Sequence, residues 1–516
     1  MSAIKNKFNW RSNKAVLLIL FIFSSICMFL FDGNSPFYIN IPSTDPNYYF
    51  TIGRALNHGK VLYRDIYDQK GPYMYWLHQL GLKVTPNHGW AVWFFEILIV
   101  TAILYLTYKI ANLYLTKFGS LIVVACMPVF IFNSNWFIYG DTAELFAFPI
   151  FLLGILLILD VLFHPENKLS WWKPFVFGIA IGLMFWVKFT LAISPLMLAF
   201  GLFLVIGKKQ NWTLAFKTVG WGLLGIFIPT VIVFAYFAKH HALKDLYYYY
   251  FYVNIHLYGE PISKTRRLVD ILFVRLGSDL RGLILLPAAL VVIVIGILSK
   301  GLTKGKGTYE QIIISLIVLC CFVSSIAIPF SWGYYIFTIN TVVPFALIQI
   351  ILWIKQLAHV DYKTASGPMC TLILALSLFS IPFVNQNMQL SRLYKNVNPV
   401  QTMMQPVKND PHGTLMTYGV MDFGFYHFAN KDPYSKYPAA YNIAKKKFPA
   451  PDKEWNNDIK NKSVKYVVTA KNTGVHRTKY LKKNYHRIGK TVPFINYQGG
   501  ITPNGMSFLR LYERNK

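Results

Sequence analysis

The chain has 516 residues, 54% of them hydrophobic and 17% aromatic, and only 14% are charged. That is too little charge for an ordinary soluble protein of this size, and it reads as a membrane protein. Much of the formal net charge of +29 lies in short loops between apolar runs, which is the footprint of membrane orientation and anionic lipid rather than of a nucleic-acid-binding face.

The N-terminus MSAIKNKFNWRSNK is basic and precedes a long apolar run with no small-residue cleavage site, so the first segment reads as a retained span. About 20 apolar residues cross the hydrocarbon core as a helix. Eleven segments approach that length: 15–32, 91–108, 118–137, 145–163, 174–192, 193–207, 218–238, 282–299, 310–330, 334–354 and 368–385. Lys188 and Pro195 interrupt the 174–207 region, which is either one broken helix or two short ones. Cys27, Cys126, Cys320, Cys321 and Cys370 all fall inside apolar runs without metal or redox spacing, and read as packing.

Lys and Arg in short loops set orientation. With the N-terminus cytoplasmic, the loops around Lys109/Lys117, Lys168/Lys173, Lys208/Lys209, Lys300/Lys304/Lys306 and Lys355/Lys363 fall on the cytoplasmic side. The outer side then receives the first loop (about 33–90), the loop Asn133–Glu144, the loop Lys239–Arg281, the turn at Ser331 and everything after Asn385. The expected architecture is a polytopic α-helical domain over 1–385 with about eleven spans. A small, Lys-rich α/β extracytoplasmic domain follows over 386–516, with strand-like runs VKYVVTA and MSFLRLY.

The first outer loop, STDPNYYFTIGRALNHGKVLYRDIYDQKGPYMYWL, is unusually polar for a segment beside a membrane. Tyr48, Tyr49, Ile52, Leu56, Tyr73, Trp76 and Leu77 recur at helical spacing, which predicts two interfacial amphipathic helices. Asp45 stands just before the first of them, where a carboxylate is favoured by free N–H groups, so a plain helix cap accounts for it as well as chemistry does. Asp65, Asp68 and Lys70 precede a helix that Pro72 can start. Lys70 beside glycine at a helix N-terminus suits a phosphate, or else snorkels to headgroups.

The pattern Asp, Tyr four residues on, Ile-Gly-Arg, Gly, then Tyr-x-Asp-x-x-Asp-x-Lys-Gly-Pro resembles the first outer loop of GT-C-fold membrane glycosyltransferases. Among these it is most similar to the bacterial enzymes related to aminoarabinose transferase and protein mannosyltransferases, of the family 39 kind. The resemblance implies a polyprenyl-phosphate-linked sugar as donor and an active site on the outer face. It assigns Asp45 as the base that deprotonates the acceptor hydroxyl and Lys70 as a contact to the donor phosphate. Several relatives carry Asp-Glu where this chain has Asp45-Pro46, which removes a neighbouring acid.

Partners for Asp45 are then sought elsewhere. Asp141 and Glu144 are three apart at the outer end of a span, and Glu144 resembles an acidic position of the family; a helix N-terminus also welcomes acids for dipole reasons alone. Lys188, Arg266 and Arg267 are candidate donor-phosphate contacts, against snorkelling and general lipid binding. Tyr334 and Tyr335 stand where relatives have site-lining aromatics, and otherwise serve as belt residues, as do Tyr247–Tyr250, Tyr252 and Tyr258. His240, His241 and His256 lack metal spacing, so no metal or other cofactor is assigned, and a divalent cation at the phosphate stays an open alternative. No P-loop, no GxGxxG after a strand and no nucleophile elbow occurs.

The resulting expectation is an enzyme transferring a sugar from a polyprenyl phosphate, with inversion, to an extracytoplasmic cell-envelope glycan, lipid or polymer of the teichoic-acid kind. Membrane lipids are its surroundings, and nucleic acid is not a partner. The rival is a transporter or flippase of a lipid-linked glycan, which would place its ionisable groups at the bilayer midplane on broken helices.

Overall fold

The computed structural model describes residues 10–38, 44–132, 140–259, 285–327, 333–358, 398–470, 479–495 and 506–515, with a few isolated positions between them. Among the described residues seven helices are long and apolar enough to cross a membrane: Asn13–Phe31, Trp90–Ala111, Ala143–Phe163, Phe189–Lys209, Trp212–Lys239, Thr308–Ser325 and Tyr334–Gln356. Lys117–Ile131, Trp172–Phe185 and Leu286–Leu298 are shorter apolar helices. Each of the first ten expected spans meets one of these, and most of 368–385 lies outside the described residues.

In chain order the first helices are α1 (Trp10–Phe31), α2 (Thr44–Asn57), α3 (Pro72–Val84), α4 (Trp90–Ala111), α5 (Lys117–Ile131) and α6 (Ala143–Phe163). They are followed by α7 (Trp172–Phe185), α8 (Phe189–Lys209) and α9 (Trp212–Lys239). Side-chain caps start several of them: Thr116 accepts the Gly119 N–H, Thr142 the Leu145 N–H and Asn211 the Leu214 N–H. The 174–207 region is two helices, α7 and α8. The chain leaves helical geometry at Trp186–Lys188, and Lys188 is extended (φ −160°, ψ 98°) at the start of α8. Pro195 lies inside α8, one of several prolines carried within these helices.

Helices α7 and α9 cross closely because neither has a side chain at the contact. A Cβ on Gly178 would stand 2.1 Å from the Gly222 carbonyl oxygen, and one on Gly225 would stand 2.2 Å from that of Phe175. On the outward face of α9, Phe216, Leu223, Phe227 and Phe234 are exposed, as a lipid-facing surface requires.

The two helices expected in the first loop are α2 and α3. The first begins at Thr44, so Asp45 lies within its first turn rather than before it. Pro72 is at the first position of α3, with Gly71 as its cap. Tyr48, Tyr49, Ile52 and Ala55 on α2 are buried against the rest of the protein, while Tyr73 and Trp76 on α3 stay partly exposed. So α2 turns its aromatic rings inward instead of toward headgroups.

After a π-helical stretch, Leu246–Leu257, come α10 (Leu285–Leu298), α11 (Thr308–Ala327), a 3₁₀ segment Gly333–Val342 and α12 (Val343–Ala358). The C-terminal part is an α/β unit. Its four-stranded sheet contains β1 (Leu415–Thr417), β2 (Tyr466–Ala470), β3 (Tyr485–Ile495) and β4 (Met506–Arg514) in the order β1-β2-β4-β3. The β1–β2 pair is parallel, and β4 runs antiparallel to both β2 and β3. Val468 faces Leu511 across the sheet, which in turn faces Ile488. Val400, Met404, Val407 and Phe425 pack with these residues in the unit's own core.

This unit sits on the first loop. The Tyr48 hydroxyl donates to the Ala440 carbonyl at 2.8 Å, Thr51 Oγ1 to Asp422 Oδ2 at 2.7 Å, and the Tyr441 hydroxyl to the Tyr67 carbonyl at 2.8 Å. The segment that carries Asp45 and Lys70 is thereby held between the helical bundle and the α/β unit.

Candidate functional site

Helix α2 presents Asp45 in its first turn, where free N–H groups favour a carboxylate. Asp45 Oδ2 lies 3.6 Å from Lys70 Nζ. The same oxygen receives the hydroxyls of Tyr334 at 3.3 Å and of Tyr49, one helical turn on, at 3.4 Å. The Lys70 ammonium also lies over the Tyr49 ring, 5.7 Å from its centroid.

Lys70 is fixed by its own backbone. Its N–H donates to Tyr75 Oη at 3.0 Å, the Tyr75 hydroxyl donates to Asp68 Oδ2 at 2.6 Å, and the Lys70 carbonyl accepts the Tyr63 hydroxyl at 2.5 Å. Burial alone would push the Lys70 ammonium down, but the Asp45 and Asp68 carboxylates outweigh it and hold it above the ordinary lysine value. Burial pushes the Asp68 carboxyl up, with the Lys70 charge and the Tyr75 hydrogen bond opposing. Asp68 is therefore the support behind Lys70.

Lys188, at the break between α7 and α8, donates to Glu144 Oε1 at 2.6 Å and lies 4.0 Å above the centroid of the Tyr335 ring. The Tyr335 and Tyr258 hydroxyls are 3.4 Å apart. The two lysines belong to one site because their segments are joined: the Gly71 N–H donates to the Val187 carbonyl at 2.9 Å. The structure thus gathers Asp45, Lys70, Glu144, Lys188, Tyr334 and Tyr335 from five separate stretches of chain. A carboxylate beside one ammonium, with a second ammonium held over an aromatic ring, can take a proton from a hydroxyl and neutralise a phosphate in one place.

Other expected residues stand elsewhere. Asp65 pairs with Arg64 at 2.9 Å and accepts the Val61 N–H at 2.8 Å, which stabilises its own turn. Tyr48 reaches the α/β unit through Ala440, as described above. Asp141 does not join Asp45; its Oδ2 meets His78 Nε2 at 2.8 Å and the Asn34 side-chain amide at 3.1 Å. Asn34 also donates to Glu96 Oε2 at 3.2 Å, Glu96 accepts the Asp141 N–H, and Asp32 accepts the Asn34 N–H at 2.7 Å. His78 Nδ1 faces the Met74 carbonyl at 2.7 Å. This fully enclosed network ties the end of α1 to α3, α4 and the approach to α6, so Asp141 reads as a brace. Arg266 and Arg267 lie outside the described residues. Among the described residues no group of three or more His, Cys, Asp or Glu side chains has the geometry to hold a metal ion.

The sequence reading overlooked Glu96, an acid inside the apolar run WFFEILIV, which is itself a signal within a span. Tyr49 is expected from the helical stripe and from the pattern of an Asp with a Tyr four residues on, but not as a hydrogen-bond donor to the Asp45 carboxylate, and Tyr258 is expected only as a belt residue. Tyr49 at the fourth position after Asp45 was legible as a partner on the same helix face; Tyr258 had no such cue.

Residues 69–237 match the family model described as dolichyl-phosphate-mannose-protein mannosyltransferase. The matched span starts at Gln69, beside Lys70, and runs through Glu144 and Lys188. The structure is similar to that of ArnT from Cupriavidus metallidurans bound to undecaprenyl phosphate, at TM-score 0.56 and 11% identity, covering 97% of each chain. The apo state of the same protein matches at TM-score 0.55 and 11% identity, again over 97% of each chain. An Archaeoglobus fulgidus oligosaccharyltransferase gives TM-score 0.49 and 12% identity, covering 99% of this chain and 74% of that one. No curated protein matches the chain.

Proposed function

We propose that this chain, a multi-pass membrane glycosyltransferase of the GT-C fold, transfers a sugar from a polyprenyl phosphate to a hydroxyl of an extracytoplasmic cell-envelope glycan, polymer or lipid, with inversion. The observation that carries this reading is the Asp45–Lys70 pair at 3.6 Å with Tyr334 and Tyr49 on the same carboxylate oxygen. The undecaprenyl phosphate bound by the similar ArnT structure supports the lipid-linked donor.

In this reading Asp45 takes the acceptor hydroxyl proton as that oxygen attacks the anomeric carbon. The bond from the anomeric carbon to the phosphate oxygen breaks on the opposite face, and the electron pair leaves with the phosphate. Lys70 and Lys188 neutralise that charge as it develops, and Glu144 holds Lys188 in place. The N-terminus is cytoplasmic, the site and the α/β unit (386–516) are extracytoplasmic, and the donor phosphate sits at headgroup depth with its isoprenoid tail between helices.

The test is transfer by the purified protein from a radiolabelled polyprenyl-phosphate sugar to envelope acceptors. Wild type should transfer, Asp45→Asn should transfer far more slowly, and Lys70→Ala should need much more donor. An Asp45→Asn variant as fast as wild type overturns the base assignment. Lipid movement across the bilayer without sugar transfer favours a transporter instead.

A further inference from the structure

A different pair of lysines stands at the far end of the helix that carries Glu144. Helix α6 has Glu144 in its first turn and Phe163 as its last residue, 21 residues in all and about 30 Å long, so its two ends belong to opposite faces of the membrane. At the Phe163 end, the loop between α10 and α11 (299–307) places Lys304 Nζ 4.4 Å and Lys306 Nζ 5.4 Å from the centroid of the Phe163 ring. Lys304 Nζ also lies 5.6 Å from the centroid of the Tyr114 ring, which meets Phe163 edge-on at 5.4 Å. Two like charges are thus set over one aromatic surface.

The loop is built to hold them there. The Leu302 N–H donates to the Gly296 carbonyl at 3.1 Å, the Gly305 N–H to the Lys300 carbonyl at 2.9 Å and the Lys306 N–H to the Thr303 carbonyl at 3.1 Å. Thr303 is fully enclosed, and its hydroxyl donates to the Lys300 carbonyl at 3.1 Å. Lys304 takes a left-handed backbone (φ 54°), a conformation that glycine adopts without strain. Two other lysines at this membrane face have carboxylates of their own: Lys173 meets Asp160 at 3.1 Å, and Lys209 meets Glu310 at 2.7 Å. Among the described residues no carboxylate lies within 4 Å of Lys304 or Lys306. Lys306 approaches the Leu162 carbonyl at 3.5 Å, as a cation at the C-terminus of α6 should. That accounts for one charge only. Burial, with the Lys306 charge next, pushes the Lys304 ammonium below the ordinary lysine value, and no described carbonyl or carboxylate holds it.

We infer that Lys304 and Lys306 form a binding site for the phosphodiester of an anionic glycerophospholipid, in the leaflet opposite the Asp45 site, which is cytoplasmic in the orientation proposed above. The inference does not depend on the glycosyl-transfer reading. A phosphodiester shared by the two ammoniums relieves their repulsion and supplies the counter-charge that the protein does not. Leu298, the last residue of α10, and Ile312, near the start of α11, are exposed apolar side chains on either side of the loop, a surface for acyl chains. A soluble phosphate ester offers the charge without the chains.

The test is native mass spectrometry of the full chain in detergent, titrated with phosphatidylglycerol and, separately, with phosphatidylcholine. It is read as the number of lipids retained at each concentration, so that lipid at the Lys70–Lys188 site is common to all variants. Wild type should retain one more phosphatidylglycerol than phosphatidylcholine. The double variant Lys304→Gln/Lys306→Gln should lose that lipid and need roughly ten- to thirtyfold more phosphatidylglycerol to regain it, the scale of two lysines at an anionic surface. Lys168→Gln/Lys208→Gln, which removes the same charge from exposed lysines of the same face, should bind as wild type does, and Lys304→Arg/Lys306→Arg should keep the lipid. Equal retention of the two lipids, equal weakening by the two glutamine pairs, or loss of the lipid in the arginine pair overturns the inference. Displacement of the lipid by millimolar sn-glycerol 1-phosphate also overturns it, in favour of a soluble phosphate ester.

Discussion

Asp45 Oδ2 and Lys70 Nζ lie 3.6 Å apart, an ion pair longer than a hydrogen bond, formed between the start of α2 and the residue just before the cap of α3. At that distance the ammonium keeps N–H capacity for an incoming oxyanion. A phosphate that engages Lys70 draws it from Asp45 and frees the carboxylate for an acceptor hydroxyl, which couples donor binding to readiness of the base. Asp45→Asn is therefore expected to cut kcat about 10²- to 10⁴-fold with the donor KM unchanged or lowered, since Lys70 then has no carboxylate to leave. Lys70→Ala is expected to raise the donor KM as well as to slow transfer. Steady-state kinetics with varied donor separates the two, and a large rise in the donor KM of Asp45→Asn would contradict the division of roles.

Glu144 is 1% exposed at its side chain and Lys188 13%, with 2.6 Å between them. Removing one charge from an enclosed pair strands the other, at a cost of about 3–5 kcal/mol. Glu144→Gln should lower the unfolding midpoint clearly, and saturating polyprenyl phosphate should restore part of it by supplying a new counter-charge to Lys188. Adding Lys188→Met to Glu144→Gln should recover stability without recovering donor affinity. Thermal unfolding with and without the lipid phosphate checks both statements.

The helical layout was legible because apolar runs of span length have few other uses, and the break near Lys188 was marked by the charge itself. The Asp45 and Lys70 pairing was legible only through the pattern of the whole loop, since each residue alone also fits a cap or a snorkelling side chain. Asp141 misled for a physical reason: an acid at a helix start beside Glu144 looks like its partner. Its left-handed backbone (φ 47°) and its bonds to His78 and Asn34 commit it to the buried brace instead. Those partners come from α3 and the end of α1, and no local spacing announces a contact of that range. The inward turn of Tyr48 was hidden likewise, because it depends on an α/β unit almost 400 residues away in sequence.

Gly71 is where the two lysine segments touch. A Cβ there would stand 1.9 Å from the Trp186 carbonyl oxygen and 3.1 Å from the Tyr250 hydroxyl, so backbone has to move. Gly71→Ala should push the Trp186–Lys188 break away from Lys70, raising the donor KM and lowering the unfolding midpoint together. Gly220→Ala, in α9 with nothing within 4 Å of its would-be Cβ, serves as the control. It should be neutral or gain up to about 1 kcal/mol from helix propensity. Equal behaviour of the two variants would show that the contact at Gly71 does not couple the lysines.

Asp422 joins the α/β unit to the helix that carries Asp45, and its ionisation should make that junction pH-dependent. Its Oδ2 accepts Thr51 Oγ1 at 2.7 Å, and its Oδ1 accepts the N–H groups of Gly424 at 2.9 Å and Phe425 at 3.0 Å. Burial pushes the carboxyl from its ordinary 3.8 up to about 6, more than these hydrogen bonds and the Arg54 charge pull it down. The folded state thus holds a proton that the unfolded chain has already released. Stability is unpenalised below about pH 4, falls as pH rises toward 6, and above that carries the whole penalty, about 2–3 kcal/mol for a shift of this size. Asp422→Asn keeps the Oδ1 acceptor, and its amide can donate to the Thr51 hydroxyl, so it should melt with a flatter profile and be the more stable protein at pH 8. Thermal unfolding of both proteins at pH 4.5, 6 and 8 tests this through the difference between the two profiles, in which other titrating groups cancel. Parallel profiles would mean that Asp422 does not titrate in this window.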